Sequence, residues 1–405
     1  MNIDFLKTDE LGFSDDEKTL RDLTRGFVSR EILPSICKWD AGDVSPHKDS
    51  EALIRHIAKK LASTTGVFGA HFHGIEKYLS GCEFTPITPT AYGVALREFE
   101  YGDSSLRSLA SVQSSLCMFA INEYGSEEQK KKWLPLLFKG EKIACFGLTE
   151  PQGGSDPANM KTKARKTKSG WVLDGAKAWI TNGFADVAVA WANTEEGIRG
   201  FLVEKGAQGF TFRHENKWAL RAGIASSLFF NDCEIKQEDL LPGTVQKSGG
   251  ADLKCALRCL NEARYGICWG VVGAARACFE EAVRFSKERQ LFGKSLACKQ
   301  ETQRKLAYML GEIELAGLLA LHLGKLKSTN ELSHVHVSLG KYNNVSRALE
   351  VAQMACELLS ADVFSFDAYN SGRHMRNLHI VKKYEGTHEI HALVLGRAIT
   401  GVSAF

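Results

Sequence analysis

The 405-residue chain is 44% hydrophobic and carries 51 basic against 48 acidic residues, for a net charge of +3. That length and apolar share allow a sizeable core and two or three domains. The near balance of charge gives no reason to expect a nucleic acid or a membrane surface as partner, and leaves room for a small anionic ligand at a local patch.

The 11 cysteines are scattered without a C-x-x-C pair, several of them in apolar helical surroundings. This pattern reads as reduced core thiols of an intracellular protein rather than a disulfide framework. The opening MNIDFLKTDELGFSDDEKTL is acidic, unlike a secretory signal or an Arg-rich transit peptide. No run of eighteen apolar residues occurs, so no transmembrane helix is expected. The expected location is the cytoplasm, or the mitochondrial matrix if a presequence has been removed.

Taken in order, residues 14–140 read as helices. SDDE at 14–17 is a capping-box signature, with Ser14 as cap and Glu17 reaching back, and Leu20, Leu23 and Phe27 follow at helical spacing. SEEQKKKWLPLLFKG starts a second capped helix at Ser126 and ends it at Gly140. From about 143 to 240 the texture turns to strand. WVLDGAKAWITNG alternates apolar and polar residues on both sides of Asp174-Gly175, a strong hairpin signal. DVAVAWANT, RGFLVEK, GFTFRH and SSLFFNDCEI continue in short strands, which together predict an antiparallel barrel or sandwich. From about 250 onward two long segments with wide apolar stripes predict a helical bundle. The expected fold is α+β and multidomain: helical over 1–141, a β domain over 142–248, and a C-terminal four-helix bundle over 249–405.

KKYEGTHEIH, 382–391, raises the functional question. On a helix, Glu385 and His388 share a face. With the second Glu-x-x-His pair, Glu331 and His334, and a carboxylate such as Glu312 or Glu314, they are candidates for a di-iron site in a bundle. The bland alternative is a solvated carboxylate near a helix N-terminus. The third reading makes Glu385 a proton-abstracting base.

Four stretches favour the third reading: FGLTEPQGGSD at 146–156, WITNG at 179–183, ERQLFG at 288–293 and YEGT at 384–387. Their order and spacing resemble the acyl-CoA dehydrogenase family, along nearly the whole chain. RSLASVQSSL, LNEARYGICWG and YEGTHEIHALVLGRAITGVSAF resemble the glutaryl-CoA dehydrogenases within it. The family fold, helical domain then β domain then four-helix bundle, agrees with the organisation read above.

Removing a proton and a hydride from the α and β carbons of a thioester needs a base, donors for the enolate oxygen, and an organic hydride acceptor. The resemblance implies FAD as acceptor and Glu385 as base, with no metal. Some members carry the base on the helix of the NEAR segment, where this chain has Ala263, with Glu262 beside it. The resemblance also implies that Thr149, Ser155, Trp179, Thr181, Gln300 and Thr387 contact FAD. Arg289 and Phe292 would reach the FAD of a neighbouring subunit, so the protein would not work as a monomer, and the resemblance implies a homotetramer. Arg107 would face a distal substrate carboxylate, with Glu100 holding it and with Ser108, Tyr384 and Arg264 lining the substrate site. Such a substrate, glutaryl-CoA, would lose its carboxylate as CO2 and leave crotonyl-CoA, and an electron-transfer flavoprotein would reoxidise the cofactor.

One element departs from the family pattern. Where the family has a leucine-glycine-glycine-x-glycine turn meeting the adjacent FAD, this chain has ELLSADVFSFDAY, 357–369. Ser360 and Ala361 stand where two of the glycines would be, and Val363 or a neighbour replaces the third, in a loop one residue longer. This turn motivates one alternative, a non-catalytic CoA-ester-binding paralogue with weakened flavin; the other is an acyl-CoA dehydrogenase for another short-chain substrate, with or without decarboxylation.

Overall fold

The structure is a computed structural model that describes residues 4–42, 48–245, 253–365 and 368–404. The expected boundary between the β domain and the bundle, at 248, lies outside the described residues, as do residues 366–367 of the altered turn.

The N-terminal part contains α1 (Thr8–Gly12), α2 (Asp15–Phe27), α3 (Ile36–Ala41), α4 (Lys48–Thr65), α5 (Pro89–Gly102), α6 (Ser104–Ser111), α7 (Phe119–Tyr124) and α8 (Glu127–Phe138). Both predicted capping boxes form. Ser14 accepts from the Glu17 amide and Glu17 accepts from the Ser14 amide at 2.9 Å. The other Glu17 oxygen accepts from Thr88, the N-cap of α5, at 2.6 Å, so one carboxylate starts two helices. At Ser126 the returning residue is Gln129, whose amide also donates to the carbonyls of Glu238 and Leu240. This capping side chain thereby ties the helical part to the β domain.

The β domain is one sheet: β1 (Ala144–Gly147), β2 (Lys163–Lys166), β3 (Gly170–Thr181), β4 (Val187–Thr194), β5 (Gly197–Glu204), β6 (Phe210–His214) and β7 (Ala225–Lys236). Its order is β1-β4-β2-β3-β7-β6, with β5 on β4. Most pairings are antiparallel, but β1 runs parallel to β4, so the sheet is mixed. The Asp174-Gly175 hairpin does not form. Both residues lie inside the 12-residue strand β3, which pairs with β2 on one side and β7 on the other. Gly175, at φ +145°, makes a bulge there, and a Cβ on it would stand 2.6 Å from the Thr162 backbone. Two flanking strands hold β3 straight through a local turn signal.

The C-terminal part contains α9 (Lys254–Glu288), α10 (Gln300–Ser328), α11 (His334–Leu359), α12 (Ser371–Val381) and α13 (His388–Thr400). A short hairpin of β8 (Gln290–Leu291) and β9 (Lys294–Ser295) joins α9 to α10. α5 of the first domain packs against α9, and two glycines permit the approach. A Cβ on Gly273 would lie 1.9 Å from the Arg97 carbonyl, and one on Gly270 would lie 2.1 Å from a Glu100 carboxylate oxygen. Among the described residues one helix, α10, is long and apolar enough to cross a membrane by length and composition. It packs on α5, α9 and α11, while Leu315 and Leu318 remain exposed.

Candidate active site

Glu385 does not stand on a helix. It lies in the turn between α12 and α13, at φ +52°, with Gly386 next to it at φ +93°. A non-glycine residue in this region is strained and persists only where its surroundings hold it. The shared helix face with His388 therefore does not exist. His388 stacks on Tyr342, with ring centroids 4.0 Å apart. Glu331 also precedes its helix, and no cluster of metal-ligating side chains occurs among the described residues. His391 is buried beneath Gly386, and its Nδ1 is 3.1 Å from the Ser338 hydroxyl. Burial pushes the His391 imidazole down to about 3, so it stays neutral.

Glu385 is half-buried, and its Oε2 is buried with no hydrogen-bond partner. Burial raises its pKa, against the pull of Arg107, Lys341 and Arg264. A buried carboxylate with an unused oxygen and an elevated pKa suits a base that must take a weakly acidic proton.

Arg107 lies on α6 with no exposure at all. Its Nε donates to Glu100 on α5 at 2.8 Å, and the other Glu100 oxygen accepts from Ser104 at 2.8 Å. Its Nη2 donates to the Tyr384 hydroxyl, which is also 3.5 Å from Ser108 Oγ. Burial pushes the Tyr384 hydroxyl above its ordinary range, so it remains protonated. The remaining nitrogen, Nη1, is buried without a partner. An unmatched guanidinium N–H at such a place calls for a ligand oxygen. Glu100, Arg107, Ser108, Tyr384 and Glu385 thus lie together in one cluster.

Asp103 holds the two sides of this cluster together. It caps α6 through the Ser105 amide at 2.6 Å, and it accepts from Arg373 and Asn377 on α12. Arg264 was expected at the substrate. Its guanidinium instead turns to the base turn, with Nε donating to the Glu385 carbonyl at 2.7 Å and Nη1 to Asn261 at 3.1 Å. Sequence reasoning missed Lys341 of α11, which is buried and donates to the carbonyls of Tyr384 and Gly386. Its only sequence signal is a lysine inside an apolar helical stripe.

The β domain approaches the cluster through its 215–224 turn. The Asn182 amide, next to Thr181, donates to the Ile224 carbonyl, and the Leu220 amide donates to Asn377 on α12. Trp179 is not a core aromatic. It stands at the second irregularity of β3, at φ +60°, and is 63% exposed, with half-buried Thr181 two residues on. Thr149 is tied to this strand by the Ala178 amide at 2.9 Å, and Ser155 is exposed on the loop that follows. That loop is anchored by Glu150, which accepts from buried Lys177 and from the amides of Lys161 and Thr162. A Cβ on Gly153 would meet nothing within 4 Å.

Arg289 and Phe292 lie at the hairpin after α9, and Gln300 opens α10; all three are exposed, Phe292 by 96%. The Thr387 hydroxyl accepts from the Ile390 amide at 3.3 Å and so serves as the N-cap of α13. Among the described residues of the altered turn, only Ser360 has a positive φ, at +54°. Ala361 and Val363 sit in a 3-10 turn without positive φ.

Family models for the N-terminal, middle and C-terminal domains of acyl-CoA dehydrogenase match residues 14–141, 145–233 and 253–400. The chain belongs to the acyl-CoA dehydrogenase family. A glutaryl-CoA dehydrogenase structure from Mycobacterium smegmatis superposes with a TM-score of 0.91 at 44% identity, covering 100% of this chain and 99% of that one. A second M. smegmatis glutaryl-CoA dehydrogenase, solved with FADH2, gives 0.90 at 41% identity, covering 99% and 98%. The short-chain specific acyl-CoA dehydrogenase of Rattus norvegicus mitochondria is 32% identical, over 93% of this chain and 88% of its own length.

Proposed function

We propose that this acyl-CoA dehydrogenase uses FAD to oxidise glutaryl-CoA between its α and β carbons and releases the distal carboxylate as CO2, giving crotonyl-CoA. The observation that carries the reading is the unpartnered Nη1 of Arg107, on a guanidinium already held by Glu100 and Tyr384. Burying a substrate carboxylate unpaired would be costly, and a fixed guanidinium nitrogen offsets that. A monocarboxylic acyl chain would leave the Nη1 hydrogens unsatisfied.

Residues present in the β domain suit a flavin. Trp179 offers an exposed indole face, Thr181 and Thr149 are half-buried beside it, and the backbone at Gly153 is open. Ser155 stands on the same loop, and Arg289, Phe292 and Gln300 would serve the FAD of a neighbouring subunit. FAD, when bound, supplies the hydride acceptor that no side chain provides. Glu385 takes the α proton, and once protonated it is placed to return a proton to the carbon from which CO2 has left. Tyr384 and Arg107 orient the distal end.

A homotetramer fits the exposed apolar residues of the bundle, among them Phe292, Leu315 and Ile399. An electron-transfer flavoprotein is the expected reoxidant. A second reading, a short-chain monocarboxylic substrate, is favoured by the 32% identity to a short-chain specific relative. Purified protein given glutaryl-CoA or butyryl-CoA with an artificial electron acceptor separates the two. Preference for glutaryl-CoA with crotonyl-CoA as product supports the proposal. Preference for butyryl-CoA, or glutaconyl-CoA as the end product, overturns the substrate or the decarboxylation step. A colourless protein that takes up no added FAD overturns the enzyme reading. Sedimentation of the flavin-loaded protein reads the assembly.

A further inference from the structure

Lys341 is 2% exposed, in the first third of α11, a helix that packs against α9 and α10. An ammonium is expensive to bury, and a methionine would fill the same space without that penalty. Its hydrogen bonds go to one place. Nζ donates to the Tyr384 carbonyl and, at 2.6 Å, to the Gly386 carbonyl, the two that flank Glu385. Arg264 on α9 takes the carbonyl between them. Three successive carbonyls of a strained turn are therefore held by two cations from different helices, Lys341 buried and Arg264 half-buried.

Resting on the reading of Glu385 as base, we propose that Lys341 is a positioning residue for catalysis: it locks the left-handed backbone of Glu385, which aims the carboxylate, and its charge favours the ionised form.

The geometry explains how a carboxylate stays at φ +52° without a hydrogen bond to its Oε2. Bonds to carbonyls 384 and 386 close a bridge around residue 385, so the backbone cannot relax to negative φ without breaking one of them. The groups facing Glu385 are Arg107 from α6, Glu100 from α5, Arg264 and the neutral Cys268 thiol from α9, Lys341 from α11, Tyr384 beside it, and neutral His391 from α13. Burial lowers the Lys341 ammonium pKa, and the Glu385 charge opposes that only in part. Removing Lys341 leaves burial of Glu385 less opposed.

The test compares flavin-loaded wild type with K341M, K341R, E385Q and E385Q/K341M, using glutaryl-CoA and an artificial acceptor, with flavin content read from the visible spectrum. K341M is expected to hold flavin and lose about 100-fold in kcat, as misplaced catalytic groups do, with KM little changed. Its acidic limb of kcat/KM, which reports the base of the free enzyme, is expected to move up by about one pH unit. K341R, which keeps the charge, is expected to leave that limb at the wild-type position. An unmoved limb in K341M, or a rise in KM with kcat intact, overturns the proposal. If K341M takes up no flavin, thermal unfolding decides: K341M should lower the melting temperature less in the E385Q background than in wild type, and equal losses overturn the proposal. Activity retained by E385Q alone would remove the base assignment itself, an outcome distinct from failure of the Lys341 inference.

Discussion

The Arg107 guanidinium donates to the Tyr384 hydroxyl across 277 residues of chain, joining helix α6 to the turn that carries Glu385. Each partner fixes the other, and one guanidinium nitrogen remains for a ligand. Removing Arg107 alone would leave the fully buried Glu100 uncompensated, a loss of about 3–5 kcal/mol in stability. The informative variant is therefore E100Q/R107Q. It is expected to lower kcat/KM for glutaryl-CoA by about 10- to 100-fold, the equivalent of a charged hydrogen bond of roughly 1.5–3 kcal/mol. Use of butyryl-CoA should change much less. Equal losses on both esters would refute the carboxylate role.

Glu385→Gln is expected to abolish turnover with flavin retained. It also carries a stability signature. Burial raises the folded-state pKa of Glu385 above its unfolded value. The protonated group therefore contributes stability fully below the unfolded pKa of about 4.3, and that contribution is lost as pH rises through the folded pKa. Glutamine keeps the uncharged form at every pH. The melting temperature of E385Q should match wild type near pH 4 and exceed it at pH 8. The opposite trend would mean that Arg107, Lys341 and Arg264 outweigh burial.

Lys177 and Glu150 form a buried pair at 2.8 Å that anchors the loop of Thr149 and Ser155. Burial pushes the Lys177 ammonium down to about 8, while Glu150 is held near 2 by Lys177 and the amides of Thr162 and Lys161 despite its own burial. K177M leaves that carboxylate without its counter-charge, and a broken buried pair loses about 3–5 kcal/mol. Flavin occupancy of the purified protein should fall with it, because the loop's amides lose their anchor. K177M/E150Q should recover part of both. Full flavin content in K177M would separate this pair from cofactor binding.

Local signals were read where local chemistry decides them. Ser14 with Glu17 and Ser126 with Gln129 are short-range motifs, and both caps form. Asp174-Gly175 is equally local but was overruled, because β2 and β7 pair along both edges of β3. The YEGT motif points to Glu385 as base, while the spacing of Glu385 and His388 suggests a helix that the structure does not have there. The left-handed φ of residues 385 and 386 depends on Lys341 and Arg264, more than 40 and 120 residues away. Lys341 itself was invisible, since a lysine in an apolar stripe reads as a side chain that extends to solvent. The resemblance makes Trp179 a flavin contact, and only its bulge in β3 shows that it is exposed.

Ser360 is the residue at the end of α11 that keeps a glycine-like backbone, at φ +54° and ψ −137°. A serine there is strained by an amount of order 1–3 kcal/mol. Glycine relieves the strain but adds freedom to the unfolded chain, which takes back some of the gain. S360G should therefore stabilise by about 1 kcal/mol in denaturant unfolding, and S360A should not. Val363 differs, because its backbone is in a 3-10 turn with ordinary φ. V363G should destabilise by roughly 0.5–1 kcal/mol, since only the unfolded state gains from the added freedom. If S360G and V363G both stabilise, the turn takes a glycine-type path at both positions; opposite signs support a rebuilt turn with one strained residue at its start.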